Sequence, residues 1–472
     1  MCDGDATNGR LARRLGGQTP SRCLRSSRRP GRTTRNKRFN LVVDRTGNLP
    51  LFIDRGFAGC CRRDSVKLSI GLTTCPVLAR PNAHFIGSQP AEVRRSHSSN
   101  RTLKAHWRLR TDMKPWHILA DDLTGALDSA AAWAGAVDVP VFLDEPGRSV
   151  QAVQVVATGS RDAPPASLPS LLAPSLDWLA ASHSAFKKVD SLLRGNTFAE
   201  IAWLMRSERF VGAVFAPAFP AQGRFTARGQ HWVAPPHQPH GPRTHDHSAT
   251  LLQAFADVGL SAQVPARGLD SLHHAGHVVI PDILSDHDLD QLATLTTDPQ
   301  AQRWLWCGSA GLAWALGRQA AAMVPLGAAT LAPAQGLTLV LTASRHPVLR
   351  EQLRQLPALG ACTELIDLAE ARPVSAAEAQ ARMMQAMHSI VTARPRPATL
   401  AVVGGDTLLA LCRAAGVRSL QAGPSPRAGW GRARLVGGLW DGLTCYSRSG
   451  AFGPPDDLRD LLAAITPSRH CA

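Results

Sequence analysis

The sequence is poor in several residue types, and each scarcity narrows the classes of protein to consider. Aromatic residues make up 5% of the 472 residues, and Tyr446 is the single tyrosine. No apolar run approaches the ~18 residues that a membrane-spanning helix needs, so no membrane partner is expected. The ten cysteines contain no C-x-x-C pair, which argues against a zinc site or a disulfide framework. The pattern indicates a protein of a reducing compartment, with the cytoplasm as the expected location.

The excess basic charge is confined to one end of the chain. Residues 1–112 contain 23 of the 52 Lys and Arg residues but only 7 of the 36 Asp and Glu residues, so the whole formal charge of +16 lies there. The remaining residues are electrically balanced. A basic surface that binds nucleic acid is therefore not expected in that larger part.

Three interpretations of residues 1–112 are open. The segment is rich in Arg and Ser, which fits an organelle transit segment, a disordered basic tail that binds nucleic acid, or upstream sequence that is not normally translated. The third is favoured because Met113 lies just before the first clear strand pattern. Residues 1–112 are therefore interpreted as a basic leader, disordered or non-native, that the folded part does not need.

After Met113, short apolar runs such as WHILA (116–120) alternate with helical patterns. This β-then-α alternation predicts parallel sheets covered by helices. The run 324–336 carries Pro, Gly and Ala without a period and is interpreted as a linker. The expected fold is α/β with two domains, 113–323 and 337–472. Each is predicted to be a mainly parallel sheet flanked by helices, with an active-site cleft between them.

The first candidate site is ADDLTGALD, at 120–128. Asp121 and Asp122 follow a predicted strand and precede a predicted helix, and ligands of open α/β sheets gather at the carboxyl ends of strands. Thr124 suits a helix cap, and Gly125 lets a ligand approach the backbone. An ordinary acidic turn before a helix is the simpler interpretation, so this cluster alone decides nothing.

The second candidate site is KKVDSLLRGN, at 187–196. Lys188 and Asp190 point to the same face of a strand because the side-chain period is two. With Ser191 and Arg194 they form a set suited to binding a carboxylate and orienting a hydroxyl. A surface cluster of ion pairs is the alternative.

Lysine usage weighs against that alternative. After Lys114, the sequence contains only two lysines, Lys187 and Lys188, although arginine is abundant throughout. Lysine and arginine are not interchangeable, since lysine presents a compact ammonium and arginine a planar fork. The two lysines therefore indicate a site that requires an ammonium.

The third candidate feature is a set of turns that follow strands in the second half of the chain. The turns are TASRHP (342–347), VVGGDT (402–407) and SRSGAFG (447–453). Glycines between a strand and a helix leave backbone N–H groups free to hold phosphate, aided by the helix dipole. No GxxxxGK[ST] motif is present, so a Walker-type nucleotide site is excluded.

Six motifs occur in one order: ADDLTGALD, KKVDSLLRGN, APAFPAQGRFTARGQHWV, GSAGLA, GGDT and RSGAFG. In wording and order they resemble the four-carbon acid sugar kinase family, the threonate, erythronate and 3-oxo-tetronate kinases. The resemblance runs from about Trp116 to about Leu462. It implies ATP-dependent phosphorylation of the terminal hydroxyl of a four-carbon sugar acid, with ATP and Mg²⁺ as cofactors. It further implies that 113–323 binds the sugar acid and that 337–472 binds the nucleotide.

The resemblance also implies roles for individual residues. Catalysis, by orienting or deprotonating the attacking hydroxyl, would fall to an aspartate among Asp121, Asp122 and Asp190. Substrate binding would fall to Arg161, Lys187, Lys188, Ser191 and Arg194. Nucleotide binding would fall to Ser344, Gly404, Gly405, Asp406, Thr407, Gly450 and Gly453. The expected partners are a small sugar acid and ATP. Binding to nucleic acid or to a membrane is not expected, and a homodimer is compatible with the sequence.

The sequence departs from the family pattern at three positions. Leu192 stands where the family has threonine, which removes a hydroxyl from the substrate site. Ala343 replaces a glycine, and Arg448 replaces a lysine near the phosphates. In addition, a histidine-rich stretch at 237–247 is interpreted as an exposed loop, with a metal site there as the weaker alternative.

Two other functions remain open at this stage. A ribokinase-like sugar kinase would explain GGD at a strand–helix junction, but it would leave the DDLTG and KKVDS motifs unexplained. A catalytically impaired sugar-acid-binding protein of the same fold would explain the three departures. Consumption of ATP with a panel of sugar acids would separate these alternatives.

Overall fold

The computed structural model describes most of the chain after residue 114. The described residues are 115–135, 137–235, 244–245, 249–265, 277–321, 331, 333–370, 374–426 and 429–466. The predicted leader, Met113, much of the linker and most of the histidine-rich stretch lie outside them. Within the described residues, no helix is both long and apolar enough to cross a bilayer.

The first half of the described chain alternates strands with helices. Its strands are β1 (Trp116–Ala120), β2 (Val139–Leu143), β3 (Val153–Ala157), β4 (Ser184–Lys188), β5 (Gly212–Ala216), β6 (Arg224–Ala227), β7 (Gln230–Val233), β8 (Thr244–His245), β9 (Ala262–Gln263), β10 (Val278–Val279) and β11 (Trp304–Gly308). Its α-helices are α1 (Leu123–Ala131), α2 (Leu168–Ala180), α3 (Thr197–Arg206), α4 (Leu251–Asp257), α5 (Asp286–Thr294) and α6 (Ala310–Ala321).

The second half continues the alternation. Its strands are β12 (Thr338–Thr342), β13 (Thr363–Asp367), β14 (Thr399–Val403), β15 (Ser419–Gly423), β16 (Gly431–Val436) and β17 (Thr444–Arg448). Its helices are α7 (Pro347–Arg354), α8 (Ala376–Ala393), α9 (Gly405–Ala415) and α10 (Asp457–Ile465). Strands such as β3, β12 and β14 are buried along their whole length. Such continuous apolar runs are typical of parallel strands covered by helices on both faces.

One large sheet contains fourteen of the described strands. Its order is β13-β12-β14-β17-β16-β15-β2-β3-β1-β4-β11-β5-β10-β9, and β6, β7 and β8 form a separate small sheet. The predicted α/β class with mainly parallel pairing is confirmed. The two predicted sheets are joined edge to edge, because β15 pairs with β2 in an antiparallel register that sets Leu420 opposite Val141.

The twist of this sheet determines where a site can form. Three successive antiparallel pairs separate β17 from β2, so the parallel strands of the two halves run in opposite directions along a flat sheet. Six strand-to-strand steps lie between β14 and β1, and a rotation of roughly 20–25° per step accumulates to about 120–150°. A rotation of this size turns the carboxyl ends of both sets of strands toward the same space, in agreement with the closeness of Gly405 to Asp122.

Candidate active site

The carboxyl ends of β1, β4 and β11 lie side by side. The parallel register aligns Ala120 with Lys188, and Lys188 with Gly308. Asp121 and Asp190 therefore emerge from neighbouring strands at the same edge of the sheet, as the sequence pattern predicted for ligand-binding residues.

Arg161 connects the first two carboxylates. Its guanidinium donates to Asp121 through Nε at 2.8 Å and through Nη2 at 3.0 Å, and it donates to Asp122 through Nη2 at 2.7 Å. Its Nη2 also lies 3.8 Å from Asp190 Oδ1. Arg161 follows β3, so three neighbouring strands contribute to this cluster and the predicted site residues meet in space.

Asp122, rather than Thr124, caps helix α1. The Asp122 carboxylate accepts a hydrogen bond from the Gly125 N–H at 2.9 Å, and the Thr124 hydroxyl donates to its other oxygen. The cap function predicted for Thr124 is therefore wrong in its detail. Both oxygens of Asp122 are held by donors, which fixes the orientation of its carboxylate.

The turn after β4 wraps around Asp190. Arg194 donates to both carboxylate oxygens at 2.7 Å, and the backbone N–H groups of Leu192 and Arg194 approach Oδ2 at 3.2 Å. Leu193 adopts a left-handed backbone with φ of 56°, which is a strained conformation for a residue other than glycine. Gly195 has φ of 75°, and a Cβ there would lie 2.2 Å from the Arg161 carbonyl oxygen. The contacts of the turn to Asp190 and Arg161 thus hold Leu193 and Gly195 in the left-handed conformation.

The two lysines lie on opposite sides of β4. The Lys188 ammonium donates to the Val189 carbonyl oxygen at 2.7 Å and lines the cleft. The Lys187 ammonium is fully buried and lies 2.6 Å from Glu200 of helix α3, which is also fully buried. The structure separates Lys187 from the other predicted substrate-binding residues, so Lys187 is not positioned to contact a substrate directly.

The electrostatics keep two of the predicted catalytic aspartates ionised. Burial alone would raise the pKa of Asp121, but the charges of Arg161, Lys187 and Lys188 outweigh burial and lower it. Burial likewise opposes ionisation of Asp190, yet the hydrogen bonds from Arg194, with the nearby cations, hold its pKa well below the usual range. Both carboxylates are therefore anions throughout the physiological pH range.

The glycine turns of the second half lie at the carboxyl ends of β12, β14 and β17. Gly404 has φ of 123° and precedes helix α9, which begins at Gly405. A Cβ at Gly450 would lie 2.3 Å from Ser344 Oγ, so the turns after β17 and β12 are in close contact. The hydroxyl of Thr407 accepts a hydrogen bond from the Ala343 N–H at 3.2 Å. Ser344, Gly404, Thr407 and Gly450, four of the predicted nucleotide-binding residues, thus lie together in one cradle of backbone and small side chains.

Asp406 lies in the first turn of α9 and is exposed. Its pKa is raised, first because the surrounding protein partly desolvates the carboxylate, and then because Asp122 and Asp162 are negative. Among the described residues, no cluster of three His, Cys, Asp or Glu side chains is arranged to hold a metal ion. A cation at this rim would therefore need ligands from a bound anion in addition to Asp406.

Arg448 has a role in the architecture of the cradle. Its buried guanidinium lies 2.7 Å from Asp457 and stacks over the ring of Trp430 at 4.8 Å. It also donates to the Phe452 carbonyl oxygen, and a Cβ at Gly453 would lie 2.2 Å from its Nη1. Arg448 thus holds the 449–453 turn in place, a role that depends on the planar fork of arginine.

The two halves meet directly at the glycine cradle. A Cβ at Gly405 would lie 2.7 Å from Asp122 Oδ2, so the turn after β14 touches the turn after β1. A cleft lies beside this meeting point, on the side of Asp122. Its lining combines Lys188 and Arg194 from the first half with Ser449 and Phe452 from the second half.

Sequence reasoning missed an acidic residue of this lining. Asp128 lies in helix α1 and reaches the cleft beside Gly125, three residues earlier on the same helical face. It was visible as an acidic residue in an alanine-rich helix, one turn after Thr124. Trp314 of helix α6 donates to Asp128 Oδ1 at 3.1 Å, a contact that the sequence does not reveal.

Comparison with known proteins shows which proteins the chain is similar to. Residues 116–316 match the family model of a sugar-binding N-terminal domain. The chain is 29% identical over 406 residues to the D-threonate kinase of Bordetella bronchiseptica, which covers 75% of this chain and 98% of that enzyme. It is 34% identical over 230 residues to the D-threonate kinase of Cupriavidus necator, covering 43% of this chain and 53% of that one.

Solved structures agree on the fold. A Haemophilus influenzae protein of the DUF1537 family superposes with a TM-score of 0.53 at 17% identity, covering 74% of this chain and 99% of that protein. A Salmonella typhimurium protein gives a TM-score of 0.52 at 19% identity, with coverages of 72% and 97%. The matched domain, the two D-threonate kinases and the shared fold all support the resemblance to the four-carbon acid sugar kinase family. The names of these relatives support a phosphotransferase that acts on an alcohol group of a sugar acid.

Proposed function

We propose that the chain transfers the γ-phosphoryl group of ATP to the terminal hydroxyl of a four-carbon sugar acid. The observation that carries this proposal is the contact between Asp122 and Gly405, where a cluster of charged side chains meets a cradle of glycines. Phosphoryl transfer depends mainly on positioning and charge neutralisation. A charged pocket for an acid beside a backbone cradle for phosphates meets both needs.

The charged cluster is suited to the acid end of the acceptor. Among the described residues, the Lys188 ammonium makes one hydrogen bond within the chain, which leaves donors for a ligand because an ammonium carries three. Arg194 is 44% exposed while two of its nitrogens hold Asp190, so its remaining N–H groups are open to the cleft. We assign the acceptor's carboxylate to these two cations, with the Ser191 hydroxyl as a further polar contact.

The glycine cradle is suited to the phosphates of ATP. The N-terminus of α9 at Gly405 offers free N–H groups and the positive end of a helix dipole. Side chains at Gly405 or Gly450 would fill the crevice, as the short distances to Asp122 and Ser344 indicate. Mg²⁺, when bound, would neutralise charge on the phosphates. We assign Asp406 to hold it, because its carboxylate lies at the cradle near the negative Asp122 and Asp162.

The acceptor is proposed to be of the threonate type, with D-threonate first and erythronate and 3-oxo-tetronate as alternatives. The support is the identity to two D-threonate kinases. The test is ADP formation by the full chain with each acid in turn, in the presence of ATP and Mg²⁺. ADP formation that depends on one of these acids supports the proposal, and ADP formation that is the same without any acid would contradict it.

A catalytically impaired sugar-acid-binding protein is the second candidate. Its support is the substitution of Leu192 for a family threonine in the turn that holds Asp190. The Arg448 substitution does not favour it, because Arg448 has a buried carboxylate partner and a structural role. The same assay separates the candidates when it is combined with calorimetry, since an impaired protein would bind the acid without forming ADP.

The domain limits are part of the proposal. We assign the acid to 113–323 and the nucleotide to 337–472, with 324–336 as the linker and 1–112 as a dispensable leader. A fragment that begins at Met113 should then form ADP with the same acid at the rate of the full chain. A fragment that cannot fold would refute the dispensable leader.

A further inference from the structure

The three aspartates predicted to activate the hydroxyl are all occupied by donors. Asp121 is held by Arg161 through two hydrogen bonds and is 2% exposed. Asp122 accepts hydrogen bonds from Thr124, Gly125 and Arg161. Asp190 accepts hydrogen bonds from the Arg194 side chain and from two backbone N–H groups. A carboxylate that is stabilised as an anion by several donors is a weak proton acceptor.

Asp128 differs from these three carboxylates. Among the described residues, its carboxylate accepts one hydrogen bond, from Trp314 Nε1 to Oδ1 at 3.1 Å. Its side chain is buried, with the residue 7% exposed, and it lines the cleft beside Gly125 and Lys188. Oδ2 is therefore available in a site where water is scarce, which is the arrangement that a general base needs.

The charge environment agrees with this geometry. Burial raises the pKa of Asp128, and the negative Asp122 adds to the rise, while the Trp314 hydrogen bond and the Lys188 charge oppose it. A raised pKa makes the carboxylate a better proton acceptor near neutral pH. The charged groups that line the same cleft are Asp122, Arg161, Lys188, Asp190, Arg194 and Arg448.

We infer that Asp128 is the general base that accepts the proton of the attacking hydroxyl, an inference that rests on the proposed kinase function. The acceptor oxygen forms a bond to the γ-phosphorus of ATP, and the bond between that phosphorus and the β–γ bridging oxygen breaks. ADP leaves with the electron pair of the broken bond. The hydroxyl proton passes to Asp128 Oδ2, and Trp314 holds the other oxygen so that Oδ2 faces the acceptor.

Lys188 complements this role. Its ammonium lies close to the same face of α1, since a Cβ at Gly125 would be 2.8 Å from Lys188 Nζ. Since Lys188 is assigned to the acceptor's carboxylate, its position beside Asp128 fixes the acceptor relative to the base. Asp121, Asp122 and Asp190 then act as positioning residues, because they orient Arg161 and Arg194.

The first test is Asp128→Asn, which keeps the size of the side chain and an acceptor for Trp314. With D-threonate and ATP, kcat should fall by at least 100-fold, the lower end of what a general base contributes. The KM values and the melting temperature should change little. An Asp128→Asn enzyme with full kcat would overturn the inference, whereas a wild-type enzyme that phosphorylates no sugar acid would overturn the proposed function as well.

The second test keeps Asp128 and removes its donor. Trp314→Phe should raise the pKa of Asp128, because that hydrogen bond lowers it, and the acidic limb of the kcat/KM profile should move to higher pH. Trp178→Phe is the matched control, since Trp178 is also half-buried and its Nε1 has no hydrogen-bond partner among the described residues. An unshifted limb in Trp314→Phe, or an equal shift in Trp178→Phe, would overturn the assignment even if Asp128→Asn proved unstable.

Discussion

The two sides of the cleft are built by different means. On the side of the first half, arginines and aspartates hold one another, and Arg161 donates hydrogen bonds to both Asp121 and Asp122. On the side of the second half, the cradle is built of backbone, glycine and hydroxyl groups, and Arg448, which also lines the cleft, is paired with Asp457. Truncation of a side chain should therefore impair the charged side, whereas a side chain added to a glycine should impair the glycine side.

The largest effect is expected at the charged pair behind the cleft. Lys187→Ala would leave the Glu200 carboxylate buried without its cation, which costs about 3–5 kcal/mol of folding free energy. The urea midpoint should fall sharply. The double variant Lys187→Met with Glu200→Gln removes both charges and should recover most of that loss. If Lys187→Ala is stable but binds the sugar acid poorly, Lys187 is a substrate-binding residue after all.

On the glycine side, the addition of one methyl group should be enough to stop turnover. In Gly405→Ala the new Cβ would lie 2.7 Å from Asp122 Oδ2, and Asp122 cannot move freely because three donors hold it. A displacement of about 1 Å costs about 100-fold in rate, so kcat/KM for ATP should fall by that factor. Binding of the sugar acid should remain measurable by calorimetry.

Gly360→Ala is the matched control for this variant, because a Cβ at Gly360 meets no atom within 4 Å. It should leave both ATP turnover and acid binding unchanged. Loss of acid binding in Gly405→Ala, with ATP binding intact, would contradict the division of the cleft into an acid side and a nucleotide side.

A smaller effect is expected for the lysine that faces the cleft. Lys188→Ala removes a charge-assisted contact worth roughly 1.5–3 kcal/mol, so kcat/KM for the sugar acid should fall about ten- to a hundredfold. Lys188→Arg should also be impaired, since a planar fork does not fit a site built for an ammonium. The melting temperature should barely move. A marked fall in melting temperature with full activity would make Lys188 a structural residue.

The smallest effect is expected for the stability of the protein at low pH. The pKa of Asp190 is depressed in the folded state, so its contribution is present above the ordinary aspartate pKa of about 3.9 and is lost as the pH falls through the folded value. Asp190→Asn should therefore be less stable than wild type at pH 7. Urea midpoints should converge as the pH falls below about 4, and a constant difference would contradict this account.

The sequence predicts the local features of this molecule better than its long-range contacts. Strand and helix alternation predicts the α/β class because the period of apolar residues is a local property. It also predicts that Lys188 and Lys187 lie on opposite faces of a strand. It does not predict that Glu200, from the following helix, neutralises Lys187, because that contact depends on how α3 packs against β4.

The strand pairing that connects the two halves could not be predicted from the sequence, for the same reason. The pairing of β15 with β2 connects residues almost 280 positions apart, and short strand patterns carry no mark of their partner. Without that pairing, the accumulated twist that brings Asp122 to Gly405 cannot be deduced. Asp128 was overlooked because its distinction from Asp121 and Asp190 lies in the few donors around it, and donors are a property of packing.

The most direct test of the account follows the phosphorus atom itself. The full chain is incubated with D-threonate and ATP labelled with ³²P in the γ-position, in the presence of Mg²⁺. The account predicts that the label enters the sugar acid at its terminal oxygen in equal amount to the ADP formed, and that Gly405→Ala and Asp128→Asn each slow this transfer. Label released only as inorganic phosphate, or transfer unaffected by both substitutions, would contradict it.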